Sequence, residues 1–336
     1  MTQYFLPVFY SLLQIFILAG IGFVLRKYMK WKKEVFSGIS QLIVNITLPA
    51  MFISRMSAMD RSDLISGAFF PFYTFLVFGI SFLLSFVFAH LFRIPKDSRN
   101  TYLALSSFGN AGYIPLALID IFIVTISGFK EYFQSPLPSL YIGAYLFTYS
   151  PILWSVGHYL VTGATGRLRI RQFLTPPVIG ILIGVSLSLL GFGHVLSDFS
   201  LPFYYIHGGL KTLGSVTSPL ILLVLGAMVG ELKFRKSLTW DDLKFALSPM
   251  LVRYLAMPAL FLLLLKKSPY LLELAPAILL ILFMETIVPP PANFSIMTKT
   301  AGKNEEETAF SILVTYGSYL LVFPVYLMIY FNIIRF

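Results

Sequence analysis

The chain has 336 residues, is 57% hydrophobic and 12% charged, and carries a formal net charge of +10. With a mean hydropathy of +0.81, this composition excludes an ordinary soluble domain and predicts an all-α, polytopic membrane protein. The chain contains no cysteine, which excludes disulfides, thiolate metal sites and cysteine nucleophiles.

Ten apolar stretches are long enough to cross a bilayer as helices. They lie at 5–25, 36–58, 68–92, 100–126, 139–162, 174–193, 202–230, 243–265, 270–298 and 307–334. The first follows an N-terminus that lacks a basic segment. We therefore interpret it as a retained helix and not as a cleaved signal.

Lysine and arginine are concentrated after the odd-numbered stretches. Those positions are Arg26, Lys27, Lys30, Lys32, Lys33, Arg93, Lys96, Arg99, Arg167, Arg169, Arg171, Lys233, Arg235, Lys236, Lys244, Lys299 and Lys303. The opposite side has only Arg61, Lys130, Lys266, Lys267 and Arg335. The positive-inside rule therefore predicts that both termini face outside, in a cell (plasma or inner) membrane. Because these charges lie in loops and not on one face, we predict no nucleic-acid partner.

The fourth and ninth stretches are interrupted by polar and helix-breaking residues at matched places. The first interruption lies between Ser106 and Pro115, and the second between Met284 and Asn293. A backbone broken at membrane depth is tolerated only where protein or a water-filled cavity satisfies its polar groups. A matched pair of broken segments is therefore the best sequence indication of a transporter's binding site.

The two halves of the chain align with an offset of about 170 residues. Pro7-Val8 matches Pro177-Val178, and the segment 45–49 matches 215–219. The interruptions of the fourth and ninth stretches fall in the same register. Five spans per repeat is an odd number, so the second copy is inverted in the membrane, which gives a fold two related conformations.

Four of these segments carry a resemblance to a known family. Residues 45–49 (Asn-Ile-Thr-Leu-Pro), 109–115 (Gly-Asn-Ala-Gly-Tyr-Ile-Pro), 218–227 and 290–293 (Pro-Pro-Ala-Asn) resemble the second, fourth, seventh and ninth helices of the auxin efflux carrier family. That family includes the plant PIN proteins, PIN-like proteins and bacterial relatives. The likeness covers nearly the whole chain, although each motif is short.

The resemblance implies a bile-acid-symporter-type fold of ten helices in two inverted repeats, 1–165 and 166–336, with the fourth and ninth helices broken and crossing. It also implies a scaffold of helices one, two, six and seven, a transport domain of helices three to five and eight to ten that moves as an elevator, and a dimer. Two features depart from the pattern. The long loop of plant PIN proteins after the fifth span is absent, and three consecutive prolines occupy 289–291.

Seven residues near the breaks or in the second span are predicted to contact a substrate. Glycines allow close backbone approach, prolines expose half-helix ends that suit an anion, and asparagines donate and accept without carrying charge. The seven are Asn45, Asn110, Gly112, Pro115, Pro290, Pro291 and Asn293. A simple proline kink is the alternative at each break. Thr47 and Thr217, each two residues before a proline, are expected to bond the freed carbonyls of their own helices.

Charged residues inside the spans are predicted to couple transport to an ion. A charge at the bilayer centre costs at least ~2.5–3.5 kcal/mol on insertion scales unless it is paired or hydrated. The candidates are Asp120, Glu285 and Arg253, and Glu285 is the first candidate to carry a proton because it flanks the second break. The alternative for Arg253 is a structural ion pair with Glu285 or Asp120. Lys211 and Arg55 are expected to snorkel to the outer interface.

The function indicated is a secondary carrier of a small organic anion such as a carboxylate, acting by alternating access in contact with membrane lipid. Coupling to protons or to sodium is left open, as are the substrate and the direction of transport. An anion channel or a membrane receptor of the same fold is the alternative. An enzyme is disfavoured because no paired nucleophile and base are present, and the four histidines lack metal-ligand spacing. We predict no catalytic residue, metal or cofactor.

Overall fold

The computed structural model describes residues 2–134, 137–163, 174–231 and 239–336, with side chains from Leu6 onward. Within these ranges the regular secondary structure is entirely helical. Among the loop charges used to predict orientation, those outside the described residues are Arg167, Arg169, Arg171, Lys233, Arg235 and Lys236.

The described residues of the first half form six main helices. They are α1 (Thr2–Lys27), α2 (Lys33–Met56), α3 (Phe70–Leu91), α4 (Lys96–Ser107), α5 (Tyr113–Thr125) and α6 (137–162). Two short helices, Arg61–Gly67 and Phe129–Tyr132, lie before α3 and after α5. The boundaries follow the sequence, since Pro95 precedes α4 and the Gly109–Gly112 segment separates α4 from α5.

The second half follows the same order. Its main helices are α7 (Pro176–Leu189), α8 (Pro202–Gly230), α9 (Trp240–Lys267), α10 (Pro276–Ile287), α11 (Asn293–Ala301) and α12 (Glu305–Ile334). The short helices Gly193–Ser197 and Pro269–Leu272 lie in connections. Prolines begin α7, α8 and α10, as expected for a residue that lacks a backbone N–H and suits the first helical turn.

The helices agree with the predicted membrane class. Each of the ten predicted stretches contains one or two of them. Six helical segments of the described chain are long and apolar enough to cross a membrane, and α5, α7 and α10 are shorter apolar helices. Both predicted interruptions are confirmed, because α4 ends at Ser107 before α5 begins at Tyr113, and α10 ends at Ile287 before α11 begins at Asn293.

Small residues bring the helices of the two halves together. α1 packs along α8, and α2 packs along α7 and the first part of α8. A methyl group added at Gly226 of α8 would meet the backbone of Ala19 in α1, and one added at Gly180 of α7 would meet the backbone of Pro49 in α2. Close backbone approach through small residues is the usual basis of helix association in membranes. α3 packs against α4 and α6, and α9 packs against α12.

In the part of the chain that the structure describes, three helices contain a widened π-turn beside a proline. These turns are Ile43–Thr47 in α2, Leu153–Gly157 in α6 and Leu251–Ala256 in α9. A proline leaves the carbonyl four residues earlier without its usual donor, and a π-turn is one way in which the helix adjusts. The expected threonine bonds are wrong, because the buried hydroxyls of Thr47 and Thr217 have no hydrogen-bond partner among the described residues.

Candidate functional site

The two interruptions lie against each other and are joined by a backbone hydrogen bond. The N–H of Asn110 donates to the carbonyl of Pro289 over 2.7 Å. This carbonyl follows α10, where the consecutive prolines provide no N–H to continue the helix. The broken backbone of one half therefore satisfies part of the broken backbone of the other.

Two tyrosines satisfy further polar groups of the crossing. Tyr316 of α12 accepts a hydrogen bond from the Asn110 side-chain amide over 2.9 Å and donates to the carbonyl of Pro290 over 3.0 Å. Tyr149 of α6 donates to the carbonyl of Gly109. Sequence reasoning missed both tyrosines, because neither flanks an interruption and their partners lie 26 to 206 residues away.

A cavity of about 150 Å³ lies at the crossing, between α2, α5, α6 and α7. Among the described residues its lining carries no charged side chain. It consists of Val44, Leu48, Gly109, Asn110, Ala111, Gly112, Tyr113, Leu116, Leu146, Tyr149, Ser150, Leu153, Trp154, Thr175, Pro177, Val178, Ile181, Pro291 and Asn293. A second cavity of about 20 Å³ shares part of this lining, including Asn110 and Asn293. The crossing therefore forms a wall between two cavities.

The structure brings four of the seven predicted substrate residues to the larger cavity. They are Asn110, Gly112, Pro291 and Asn293. Pro115 and Pro290 are buried outside its lining. Asn45 does not line it either, because it lies on the exposed surface of α2 within the π-turn.

The cavity presents hydrogen-bond donors from neutral groups. The backbone N–H groups of Ala111 and Gly112, just before α5, have no partner among the described residues. The side-chain amide of Asn293, at the start of α11, is also without a partner there. Both half-helix N-termini add partial positive charge. Such an arrangement suits an anion without burying a cation in the cavity wall.

Arg253 and Glu285 lie behind this wall and are each 1% exposed. Arg253 Nε donates to the carbonyl of Val288 and Nη2 to the carbonyl of Glu285, both over 3.0 Å. Neither carboxylate oxygen of Glu285 has a hydrogen-bond partner in the described chain. The alternative of a side-chain ion pair of Arg253 with Glu285 or Asp120 is therefore not formed among the described residues, because the guanidinium binds backbone carbonyls.

Asp120 takes part in a separate polar cluster. Arg55 Nη2 lies 2.8 Å from Asp120 Oδ1, and Ser218 Oγ donates to Oδ2 over 2.5 Å. Arg55 Nη1 also donates to Ser139 over 2.6 Å. The charge of Arg55 is thus paired with Asp120 while its side chain stays partly exposed, and its snorkelling to the interface stays a prediction. The cluster joins α2, α5, α6 and α8, and Asp120 is engaged rather than free.

Lys211 is exposed on α8, and the described residues provide it no ion-pair partner.

The apolar helices and the polar crossing define an integral, multi-pass membrane protein. A model of the family described as membrane transport protein matches residues 7–150 and 160–327. The chain belongs to this family, so the resemblance to the auxin efflux carriers is confirmed.

Two fungal proteins resemble parts of the chain. A Schizosaccharomyces pombe protein named an uncharacterized transporter is 28% identical over 121 residues, which are 36% of this chain and 27% of that protein. A Saccharomyces cerevisiae protein, also named an uncharacterized transporter, is 30% identical over 112 residues, 33% of this chain and 26% of that protein. The chain thus spans about a quarter of the length of these curated relatives.

Proposed function

We propose that the protein is a secondary carrier that moves a small organic anion, such as a carboxylate, by alternating access around the crossing. The observation that carries the proposal is the cavity at the crossing of two broken helices. Among the described residues, its lining is uncharged, and the amide of Asn293 and the N–H groups of Ala111 and Gly112 have no partner. Neutral donors bind an anion without the desolvation cost of a buried cation.

The proposed architecture is two inverted five-helix repeats, with α1, α2, α7 and α8 as a scaffold and the other main helices as a moving domain. The packing of α1 on α8 and of α2 on α7 supports this division. The cavity lies between scaffold helices α2 and α7 on one side and helices α5 and α6 on the other. Movement of one group against the other would therefore change access to the bound anion.

The proposed orientation places both termini outside a cell membrane. The cavity reaches Thr175 and Pro177 at the start of α7, next to the loop that carries Arg167, Arg169 and Arg171. This loop is inside in the proposed topology. The Arg55–Asp120–Ser218 cluster lies in the outer part of the same seam. In this proposed topology the cavity is reached from inside, and we propose that the structure corresponds to the inward-open form.

Glu285 is the proposed coupling group. Its carboxylate is buried next to the crossing and has no hydrogen-bond partner among the described residues. A carboxylate that binds a proton when the anion binds would link the two movements. Asp120 is a weaker candidate because Arg55 and Ser218 already engage it.

Reconstitution in proteoliposomes tests the proposed function. Carboxylates that raise the unfolding midpoint in a thermal-shift screen, including an aromatic acetate and a small dicarboxylate, would be tested for counterflow. We expect saturable counterflow. Ohmic conductance without counterflow would instead indicate an anion channel, and binding without any flux would indicate a receptor.

A further inference from the structure

The last carbonyl groups of the half-helix α10 lack the backbone N–H donors that would normally follow them in the chain. In a regular helix the carbonyl of Glu285 accepts a hydrogen bond from the fourth residue after it, which here is Pro289. Pro290 and Pro291 likewise provide no N–H for the next two carbonyls. Such a helix end carries partial negative charge, and in membrane transporters similar half-helix ends and unwound carbonyls coordinate the coupling cation.

The guanidinium of Arg253 occupies this position. It donates to the carbonyls of Glu285 and Val288 at 3.0 Å each. Arg253 belongs to the π-turn Leu251–Ala256 of α9. The charge is therefore brought in by a third helix that belongs to neither broken segment.

The other broken segment also accommodates the guanidinium. A methyl group added at Gly109 would collide with Arg253 Nη2 and with the side chain of Val288. Glycine at this position thus lets both interruptions approach one cation. The two carboxyl oxygen atoms of the buried Glu285 side chain, free of hydrogen bonds among the described residues, lie nearby. Two carbonyls and a carboxylate are the ligands that a hard monovalent cation prefers.

We propose that Arg253 is a tethered cation, held where a dissolved Na⁺ would otherwise bind, so that the crossing needs no sodium ion. The consequence for transport, that flux is independent of a sodium gradient, rests on the proposed carrier function. The consequence for cation binding does not rest on the carrier function. Removal of the guanidinium leaves a cation site made of the Glu285 and Val288 carbonyls and the Glu285 carboxylate.

The test measures the unfolding midpoint of the purified protein in sodium, methylguanidinium or choline chloride at equal ionic strength. Arg253→Met keeps the bulk of the side chain and removes its charge. We expect sodium or methylguanidinium to raise its midpoint by about 2–3 °C relative to choline. The wild type and Arg253→Lys, which retain a fixed charge, should show no difference between the salts. Arg61→Met, at an exposed arginine, is the matched control.

Two results would overturn the proposal: an Arg253→Met midpoint that is equal in all three salts, or saturable stabilisation of the wild type by sodium. If Arg253→Met yields no folded protein in choline, the variant is purified in methylguanidinium or sodium instead. Recovery of folded protein with either cation supports a vacated cation site, and no recovery with either contradicts it. Because these measurements involve no transported anion, their outcome does not depend on the carrier function.

Discussion

Asn110 and Asn293 occupy similar places in the two interruptions but have different surroundings. The amide of Asn110 donates to Tyr316, and its backbone N–H donates to Pro289. The amide of Asn293 lines the cavity without a partner among the described residues. Asn110 therefore holds the crossing together, while the side chain of Asn293 remains available to a ligand.

Substitution of Asn293 should weaken anion binding without weakening the fold. Asn293→Ala removes a donor that no described residue uses, so the unfolding midpoint without ligand should stay near the wild-type value. Loss of a hydrogen bond to a bound anion costs roughly 1–3 kcal/mol, or about 5- to 150-fold in dissociation constant. Asn110→Ala is the matched control and should lower the midpoint as well. Equal anion affinity in Asn293→Ala and the wild type would remove Asn293 from the site.

Glu285→Gln should separate proton coupling from substrate exchange. The substitution keeps the size of the side chain and removes its titration. We expect exchange of the anion across proteoliposomes to continue, while accumulation driven by a proton gradient is lost. Normal proton-driven accumulation in this variant would exclude Glu285 as the coupling group, and Asp120→Asn would be tested next.

The sequence identified the charged residues inside the helices but not their partners. Arg253, Glu285, Asp120 and Arg55 were recognisable because charge is costly at membrane depth. Arg253 instead bonds to carbonyls 32 and 35 residues away, and Arg55 pairs with Asp120 across 65 residues. Such contacts depend on tertiary packing, which periodicity and composition do not encode.

At the scale of helices, the sequence predicted the breaks well and the π-turns not at all. Glycine and proline act on their own backbone, so the interruptions at 108–112 and 288–292 can be read directly from residue types. The π-turn at Leu251–Ala256 depends on how α9 packs around its prolines. It also positions Arg253, and for this reason the position of that charge at the crossing could not be predicted.

The contact between α1 and α8 should be sensitive to the size of one residue. Gly226→Val places methyl groups against the backbone of Ala19, and overpacking of this kind costs about 1–3 kcal/mol. We expect a lower unfolding midpoint. Gly208→Val, on the same helix with no atom within 4 Å of the added methyl group, should leave the midpoint unchanged. Equal midpoints in both variants would show that the two helices separate easily.

The orientation of the whole molecule can be tested with single cysteines in a chain that has none. Ser197→Cys lies between α7 and α8, and Lys96→Cys lies at the start of α4, both at exposed positions. The distribution of positive residues places the first outside and the second inside. An impermeant thiol reagent added to intact cells should therefore label Ser197→Cys alone. Labelling of Lys96→Cys alone would show that the orientation is the opposite of the predicted one.

In the proposed topology, the Arg55–Asp120 pair joins the scaffold to the moving domain on the outer side, while the cavity is reached from the inner side. Any pairing that exists in only one of two conformations favours that conformation by its own free energy. For a partly exposed pair this is about 1 kcal/mol, or roughly a 5-fold change in population. Arg55→Gln and Asp120→Asn should therefore shift the protein toward the outward-open form.

The shift can be measured through Ser150→Cys, at a residue that lines the cavity. Labelling from the inner side should slow when Arg55→Gln or Asp120→Asn is added, by at most about 5-fold, because a 5-fold change in the ratio of the two forms sets that upper limit. The exchanged pair Arg55→Asp with Asp120→Arg restores opposite charges at the same two positions, and should restore much of the labelling rate. An unchanged rate in both single variants would mean that the cluster stabilises both conformations equally, since a contact that does not distinguish two states cannot shift their populations.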